Sequence, residues 1–369
     1  MMPLMRRSAR RLPSNLTPRT VLDLAFLALA AAVPFLPGLP GLPTSRIAEI
    51  VLVVLIYQIL ALGLNVVPGF TGLLDLGYVA FVVIGSYTTA ILCALPGLRF
   101  DGAALLILLA AGLHCAAWGV VRGAPTVHLT GDYYAIVTFA FAEIAFLFVL
   151  NEDWLTAGPQ GLKDYPPIRL FGRDLYEDTP GFYYLVLTLL LLTALAMARL
   201  RDSRLGRAWH AIKADELAAQ ACGIRVGAVK LSAFAVSAFC GGIGGGLLAF
   251  KNEIVSPNIY DFWLSIIILG CVVLGGMGGI RGPLLGTAIL IGSSELLRQQ
   301  IPLPGGGMLR VPDQARFLVF GLVLLIIMIF RPEGILPPRR EFPAGAATPL
   351  DPQADPVPDA TPLDFTARS

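Results

Sequence analysis

Apolar runs close to 20 residues long, the length that crosses the hydrocarbon layer of a bilayer, recur along this chain from Val21 to Phe330. No other feature restricts the fold as strongly. Lipid offers no partner to backbone N–H and C=O groups, so a spanning segment must satisfy them itself, as a helix does. Composition agrees: 56% of the 369 residues are hydrophobic and 14% charged, whereas soluble domains carry roughly a quarter charged residues. The expectation is an all-α, polytopic membrane helical bundle forming one integral membrane domain.

Ten spans are predicted: Val21–Leu36, Ile47–Val67, Gly72–Leu95, Ala103–Val121, Tyr133–Leu150, Phe182–Leu200, Val229–Phe250, Phe262–Ile280, Pro283–Leu297 and Phe317–Phe330. Pro34 in the first and Asp75 in the glycine-rich third fit poorly with unbroken lipid-facing helices. The N-terminal MMPLMRRSARRLP followed by an apolar run is signal-peptide-like, but no small-x-small cleavage site follows, so an uncleaved first span is expected. Residues 1–20 form a basic tail, 21–336 the membrane domain, and 337–369 a Pro-rich tail too poor in apolar residues to fold.

The side carrying both termini and the loop 200–228 holds twice as many Lys and Arg residues as the other, which makes it cytoplasmic. Arg298, Arg310 and Arg316 run against this assignment. The opposite, external side carries the loop 151–181, either a lid or docking surface or a solvated connector.

Cys93, Cys115, Cys222, Cys240 and Cys271 form no C-x-x-C pair, and His114, His128 and His210 are scattered. A disulfide framework, a metal site and a bound cofactor are therefore not expected. No G-x-x-x-x-G-K-[ST] phosphate loop and no nucleophile triad occur, so no catalytic residue is assigned and no nucleic-acid partner is implied.

Two segments are interrupted: Gly63–Tyr87 and Gly270–Ser294. Each combines apolar residues with repeated glycines and a proline. Non-helical backbone at membrane depth persists only where it is buried in protein or lines a wet cavity. Their matching positions, in the third span of each half, predict an inverted repeat of five plus five spans; the alternative is that the glycines only permit tight helix packing. Asn65, Gly69, Gly72, Asp75 and Glu143 are the candidate pathway residues. A charge at the bilayer centre costs about 3 kcal/mol on insertion scales, so Asn65, Asp75 and Glu143 are expected to face the protein interior. Polar adhesion between helices is their other reading.

In the cytoplasmic loop, GRAWHAIKADELAAQACGI has helical spacing: Ala208, Ile212, Leu217, Ala221 and Ile224 recur every three to five residues. Asp215 and Glu216 adjoin the small pair Ala218–Ala219, and Gly223 can end the helix. A short helix of this kind suits a groove on a partner protein. Alternatively it lies on the membrane surface, attracted by Arg207 and Lys213.

At this point the chain resembles a known family, the LivM/LivH permeases of bacterial branched-chain amino acid ABC importers, and the LivM type in particular. The stretches that carry the resemblance are GLNVVPGFTGLLDLGYVAFVVIGSYTTA, TGDYYAIVTFAFAEI, LTAGPQGL, GRAWHAIKADELAAQACGIRVGAVKLSAFAVSAF, VVLGGMGGIRGPLLG and FRPEGIL. They run from Gly63 to Leu336 in the family's order. Two departures stand out: Asp75-Leu76-Gly77-Tyr78 where many relatives have Ser-Leu-Gly-His, and Ala157 in place of a more usual Gly or Asn.

The resemblance implies a subunit forming half of a translocation pathway in the bacterial inner membrane. A second, LivH-like permease, two cytoplasmic ABC ATPases, an external solute-binding protein and membrane lipid are the implied partners. Gly206, Arg207, Trp209, Asp215, Glu216, Ala218, Ala219 and Gly223 would couple to the ATPases. Gly158, Pro159 and Gly161 would lie outside, where a binding protein docks. Branched-chain amino acids are the implied substrate class, with urea, short amides and other hydrophobic compounds used by related systems. An ion-coupled secondary transporter using Asp75 and Glu143 is the competing function; a membrane enzyme lacks a catalytic constellation.

Overall fold

The structure is a computed structural model that describes residues 32, 34 and 44–336, apart from 96–101, 130, 164, 166–168, 171–172, 175–178, 299–300, 303–307, 310–311 and 332. Eleven helices set the architecture of this region: α1 (Thr44–Leu64), α2 (Tyr78–Ala94), α3 (Ala103–Thr126), α4 (Asp132–Asn151), α5 (Thr179–Asp202), α6 (Arg204–Ala214), α7 (Glu216–Ala221), α8 (Val226–Asn252), α9 (Phe262–Gly275), α10 (Arg281–Arg298) and α11 (Asp313–Phe330). Strands are confined to two-residue antiparallel pairs, among them Leu162–Lys163 with Ile254–Val255.

Six helices among the described residues are long and apolar enough to cross a membrane: Thr44–Thr71, Ala103–Thr126, Asp132–Asn151, Pro180–Asp202, Val226–Asn252 and Pro257–Gly275. The shorter α2 is also apolar. The predicted span Val21–Leu36, apart from Ala32 and Pro34, and both tails lie outside the described residues. Elsewhere most helices overrun the apolar runs by a few residues, because a helix continues through polar end turns that leave the hydrocarbon layer; the exception is α9, which stops at Gly275 where the predicted span ran on to Ile280, the chain turning at Gly276 (φ 110°). The third predicted span differs more. Helix α2 begins only at Tyr78, and residues 72–77 are not helical.

Helices α1 and α8 form the centre. They are buried over 83% and 78% of their most apolar stretches, against 28% for α4. A helix that is apolar all round belongs in the interior. Helix α8 gains close contact by carrying glycine where neighbours approach: Gly242 lies against the Ala111 carbonyl of α3, and Gly245 against the backbone at Val82 of α2. Without a hydrophobic drive between helices in lipid, such close packing is what holds them together. Helices α3, α4 and α5 present apolar outer faces, with Leu113, Ile136 and Leu192 each more than half exposed.

Candidate functional site

Both predicted interruptions are present, and they meet. Helix α1 passes into a π-helical turn, Val66–Thr71, which ends at Gly72 in the left-handed region (φ 77°). Residues 72–77 then run without helix to α2. The second break separates α9 from α10 at residues 276–280. The Asn65 side chain bridges the two: its Nδ2 donates to the Gly279 carbonyl at 2.8 Å, and its Oδ1 accepts from the Gly278 N–H at 2.9 Å. Gly69 is pressed into the same junction, where a Cβ would come within 2.7 Å of the Gly278 nitrogen. Asn65 and Asp75 are almost fully buried, as expected of interior-facing groups.

Asp75 has a partner that sequence reasoning missed. Arg122 of α3 meets its carboxylate through two parallel bonds, Nη2 to Oδ2 at 2.7 Å and Nη1 to Oδ1 at 3.0 Å. The same Oδ1 accepts from the Gly77 N–H at 2.9 Å. The guanidinium lies 4.6 Å from the Phe81 ring centre, and its Nη2 also donates to the Tyr134 hydroxyl at 3.3 Å. The predicted fourth span ended at Val121 and left Arg122 in a loop; helix α3 carries it inside instead.

Glu143 departs from expectation. It lies on the exposed face of α4, which also carries Ile136 and Leu147, and is not turned into this chain's interior. Among the described residues no hydrogen bond or ion pair reaches it. In lipid the outer face of a helix is as apolar as the inner one, so periodicity does not separate the two.

On the loop side, the single predicted helix is two. Helix α6 is capped by Ser203, whose hydroxyl accepts from the Gly206 N–H. Asp215 is extended (φ −161°) and starts α7 afresh, its carboxylate accepting from the Ala218 N–H at 2.9 Å. Gly223 ends α7 as expected: its N–H bonds the Gln220 carbonyl and that of Ile224 bonds the Ala219 carbonyl, the two bonds that close a left-handed C-cap.

The eight predicted coupling residues divide by exposure. Arg207, Asp215, Ala218 and Gly223 face outward, together with Leu217 at 77% exposure. Gly206, Trp209 and Ala219 are buried within this chain. Glu216 sits between: its carboxylate accepts from the fully buried Lys230 of α8 at 2.7 and 2.8 Å. Lys230 also donates to the Val127 carbonyl at the end of α3.

The loop is tied to the first interruption as well. The Trp209 indole stacks parallel to Phe70 of the π-turn, and its Nε1 donates to the Val229 carbonyl and the Ser232 hydroxyl. The Lys213 Nζ donates to the Gly69 carbonyl at 2.7 Å. Desolvation there holds the Lys213 ammonium below the ordinary lysine value, although the residue as a whole stays exposed.

On the opposite side, Gly158 and Gly161 are buried in a tight 3-10 turn that leaves Pro159 and Gln160 outward. The turn is pinned by the short strand pair with Ile254–Val255. Ala157, just before it, adopts a left-handed conformation (φ 58°), one that Gly and Asn take up with less strain. Among the described residues no group of His, Cys, Asp or Glu is placed to hold a metal ion.

A family model described as "Branched-chain amino acid transport system / permease component" matches residues 46–329. The high-affinity branched-chain amino acid transport system permease protein LivM of Escherichia coli (strain K12) is 37% identical over 317 residues, which cover 79% of this chain and 71% of that protein. LivM of Salmonella typhimurium is 38% identical over 307 residues, 77% of this chain and 68% of that one. LivH of Salmonella typhimurium is 27% identical over 298 residues, 76% and 91% of the two chains. No solved structure matches.

Proposed function

The chain belongs to the branched-chain amino acid transport permease family, and from that premise we propose that it forms half of the pathway by which branched-chain or related amino acids enter the cell. It is a multi-pass permease subunit of an ABC importer. The observation that carries the detailed reading is the double tie between the loop helices and the interrupted α1 segment, through Trp209–Phe70 and Lys213–Gly69. A loop joined in this way can turn a push from outside the membrane into movement of the broken helix.

In this reading two cytoplasmic ATPases grip the exposed surface of α6 and α7: Arg207, Asp215, Leu217, Ala218 and Gly223, with Glu216 at its edge. Gly206, Trp209 and Ala219 hold that surface in shape. A second permease of the LivH kind completes the pathway, and an external binding protein docks near Pro159, on the turn shaped by Gly158 and Gly161. Asn65, Gly69, Gly72 and Asp75 form the hinge beside the pathway. Glu143 faces the pathway from the outer side of α4, because a carboxylate on a membrane helix needs protein or water beside it. The outer faces of α3 and α5 meet lipid. Both termini lie inside, with 1–20 and 337–369 as tails on the membrane domain 21–336. The meeting of the two breaks at Asn65 supports a five-plus-five inverted repeat.

The ion-coupled alternative needs a carboxylate free to bind and release a cation. Asp75 is instead neutralised by a two-bond contact with Arg122, so that reading rests on Glu143 alone. The test reconstitutes the chain with its second permease, ATPases and binding protein in vesicles and follows labelled leucine. Uptake that requires ATP and all four kinds of component is expected. Uptake by this chain alone under an ion gradient would establish the alternative.

A further inference from the structure

Lys213 lies along the second half of the π-turn, from Gly69 to Gly72. Its ammonium reaches the Gly69 carbonyl at 2.7 Å. Its Cγ lies against Gly72, so close that a Cβ there would come within 3.1 Å. Gly72 is also left-handed (φ 77°), so glycine serves both the backbone and the passage of the lysine stem.

The carbonyl it meets is one that the interrupted helix cannot satisfy alone. The turn Val66–Thr71 stops at Gly72, so the carbonyls of its last residues lack the donors that a continuing helix would supply. Thr71 adds a bond within the turn, its hydroxyl donating to the Val67 carbonyl at 2.7 Å. Lys213 covers that of Gly69. Four residues earlier on the same face of α6, Trp209 stacks on Phe70. The C-terminal half of α6 therefore grips two adjacent residues of the π-turn, one through a ring and one through a charge.

Gly69 in turn is not free to move by itself. It lies against the Gly278 nitrogen, and Asn65 fastens Gly278 and Gly279 to the start of the same turn. A displacement of Lys213 thus reaches both interrupted segments through one short route: Lys213 to Gly69, Gly69 and Asn65 to residues 278 and 279.

We propose that Lys213 is the positioning residue that transmits movement of the cytoplasmic helix pair to the two interrupted helices, so that nucleotide-driven motion of the loop reshapes the membrane half. This rests on the reading of the loop as the ATPase-coupling element. Trp209 provides a packed pivot, while Lys213 provides a polar link that a change in the angle of α6 makes or breaks.

The test uses the complete transporter in vesicles, with ATP hydrolysis and solute uptake read from the same preparation. Lys213→Met keeps the stem and removes the donor; Lys213→Arg keeps a donor. Loss of a charged hydrogen bond that acts only in transmission predicts an uptake loss of about tenfold in Lys213→Met. Hydrolysis stays within about twofold of the unaltered protein, and Lys213→Arg recovers uptake to within about threefold. A parallel fall of hydrolysis and uptake assigns Lys213 a merely structural role and overturns the proposal, as does unchanged uptake.

Hydrogen exchange on the unaltered transporter gives an independent reading, whatever the variants' folding. A nonhydrolysable ATP analogue is expected to change amide protection in both 66–77 and 276–280. Unchanged protection in either segment overturns the proposal. If cross-linking from position 218 never captures an ATPase, the loop reading itself fails, which is a distinct outcome.

Discussion

The guanidinium of Arg122 meets the Asp75 carboxylate through two hydrogen bonds, at 2.7 and 3.0 Å, with both side chains sealed from solvent. The pair joins the non-helical stretch 72–77 to α3. Removing one partner strands the other charge, which in buried sites costs about 3–5 kcal/mol. Arg122→Met is therefore expected to lower the unfolding temperature sharply in detergent. The double variant Asp75→Asn/Arg122→Met should recover more than half of that loss, since the amide oxygen introduced at position 75 still offers an acceptor to the Gly77 N–H. A double variant no more stable than Arg122→Met would show that the charge pair is not what holds this segment.

Asn65 supplies a second joint, between the two breaks themselves. Asn65→Ala leaves the Gly278 N–H and the Gly279 carbonyl without their partners, a loss of about 1–3 kcal/mol for each buried unsatisfied group. Asn65→Asp keeps the acceptor but turns a carboxylate oxygen toward the Gly279 carbonyl, so it should rescue neither stability nor uptake. Gly69→Ala drives a methyl group into the same junction and should cost about 1–3 kcal/mol by overpacking. Thermal unfolding and leucine uptake, measured on all three, should fall together; uptake preserved in Asn65→Ala would separate the junction from the transport cycle.

The helices were legible because bilayer thickness writes their length into the sequence as apolar runs. The broken segments were legible too, because glycine and proline within such a run contradict an ordinary helix. The joints between them were not. Arg122 stands one residue beyond its apolar run and Lys230 at the start of another, so both read as loop charges, yet Asp75 and Glu216 hold them inside. Their partners are 47 and 14 residues away in sequence, and nothing local marks the pairing. Gly119 and Gly123, on the same turns of α3 as Arg122, were a usable hint of a buried face. Glu143 was misplaced for the opposite reason, because an all-apolar helix in lipid carries no sign of which face is inside.

The division of the small pair in α7 makes the docking surface testable by two neighbouring substitutions. Ala218 is exposed and Ala219 is buried against the body of the chain. Ala218→Arg should leave stability within about 0.5 kcal/mol, as exposed substitutions do, while abolishing copurification of the ATPases. Ala219→Arg should destabilise the loop itself. Normal ATPase association of Ala218→Arg would remove α7 from the contact surface.

The position of Glu143 separates a water-lined pathway from a lipid surface. Cys222 is an exposed free cysteine among the described residues, whereas Cys93, Cys115, Cys240 and Cys271 are buried. In a Cys222→Ser background, Glu143→Cys should react with a charged, membrane-impermeant thiol reagent in the assembled transporter, because thiolate chemistry needs water at the sulfur. The control Ile144→Cys, one residue on, should react far more slowly if it faces lipid or the partner subunit. Equal inertness of both positions would put Glu143 outside the pathway.

Ala157 offers a gain of stability. Its backbone is left-handed (φ 58°, ψ 21°), and its N–H donates to the Asp153 carbonyl at 3.1 Å to close the short helical turn at the start of the loop 151–181. A Cβ in that region costs roughly 1–2 kcal/mol, while the added unfolded-state freedom of glycine costs about 0.5–1 kcal/mol. The difference favours Ala157→Gly by up to about 1.5 kcal/mol, visible as a higher unfolding temperature with uptake unchanged. Ala157→Val keeps the N–H but adds β-branching, so it should be less stable than the unaltered chain. If glycine lowered the unfolding temperature and valine did not, residue 157 would have to be right-handed or extended, and the turn that presents Pro159 would be built differently.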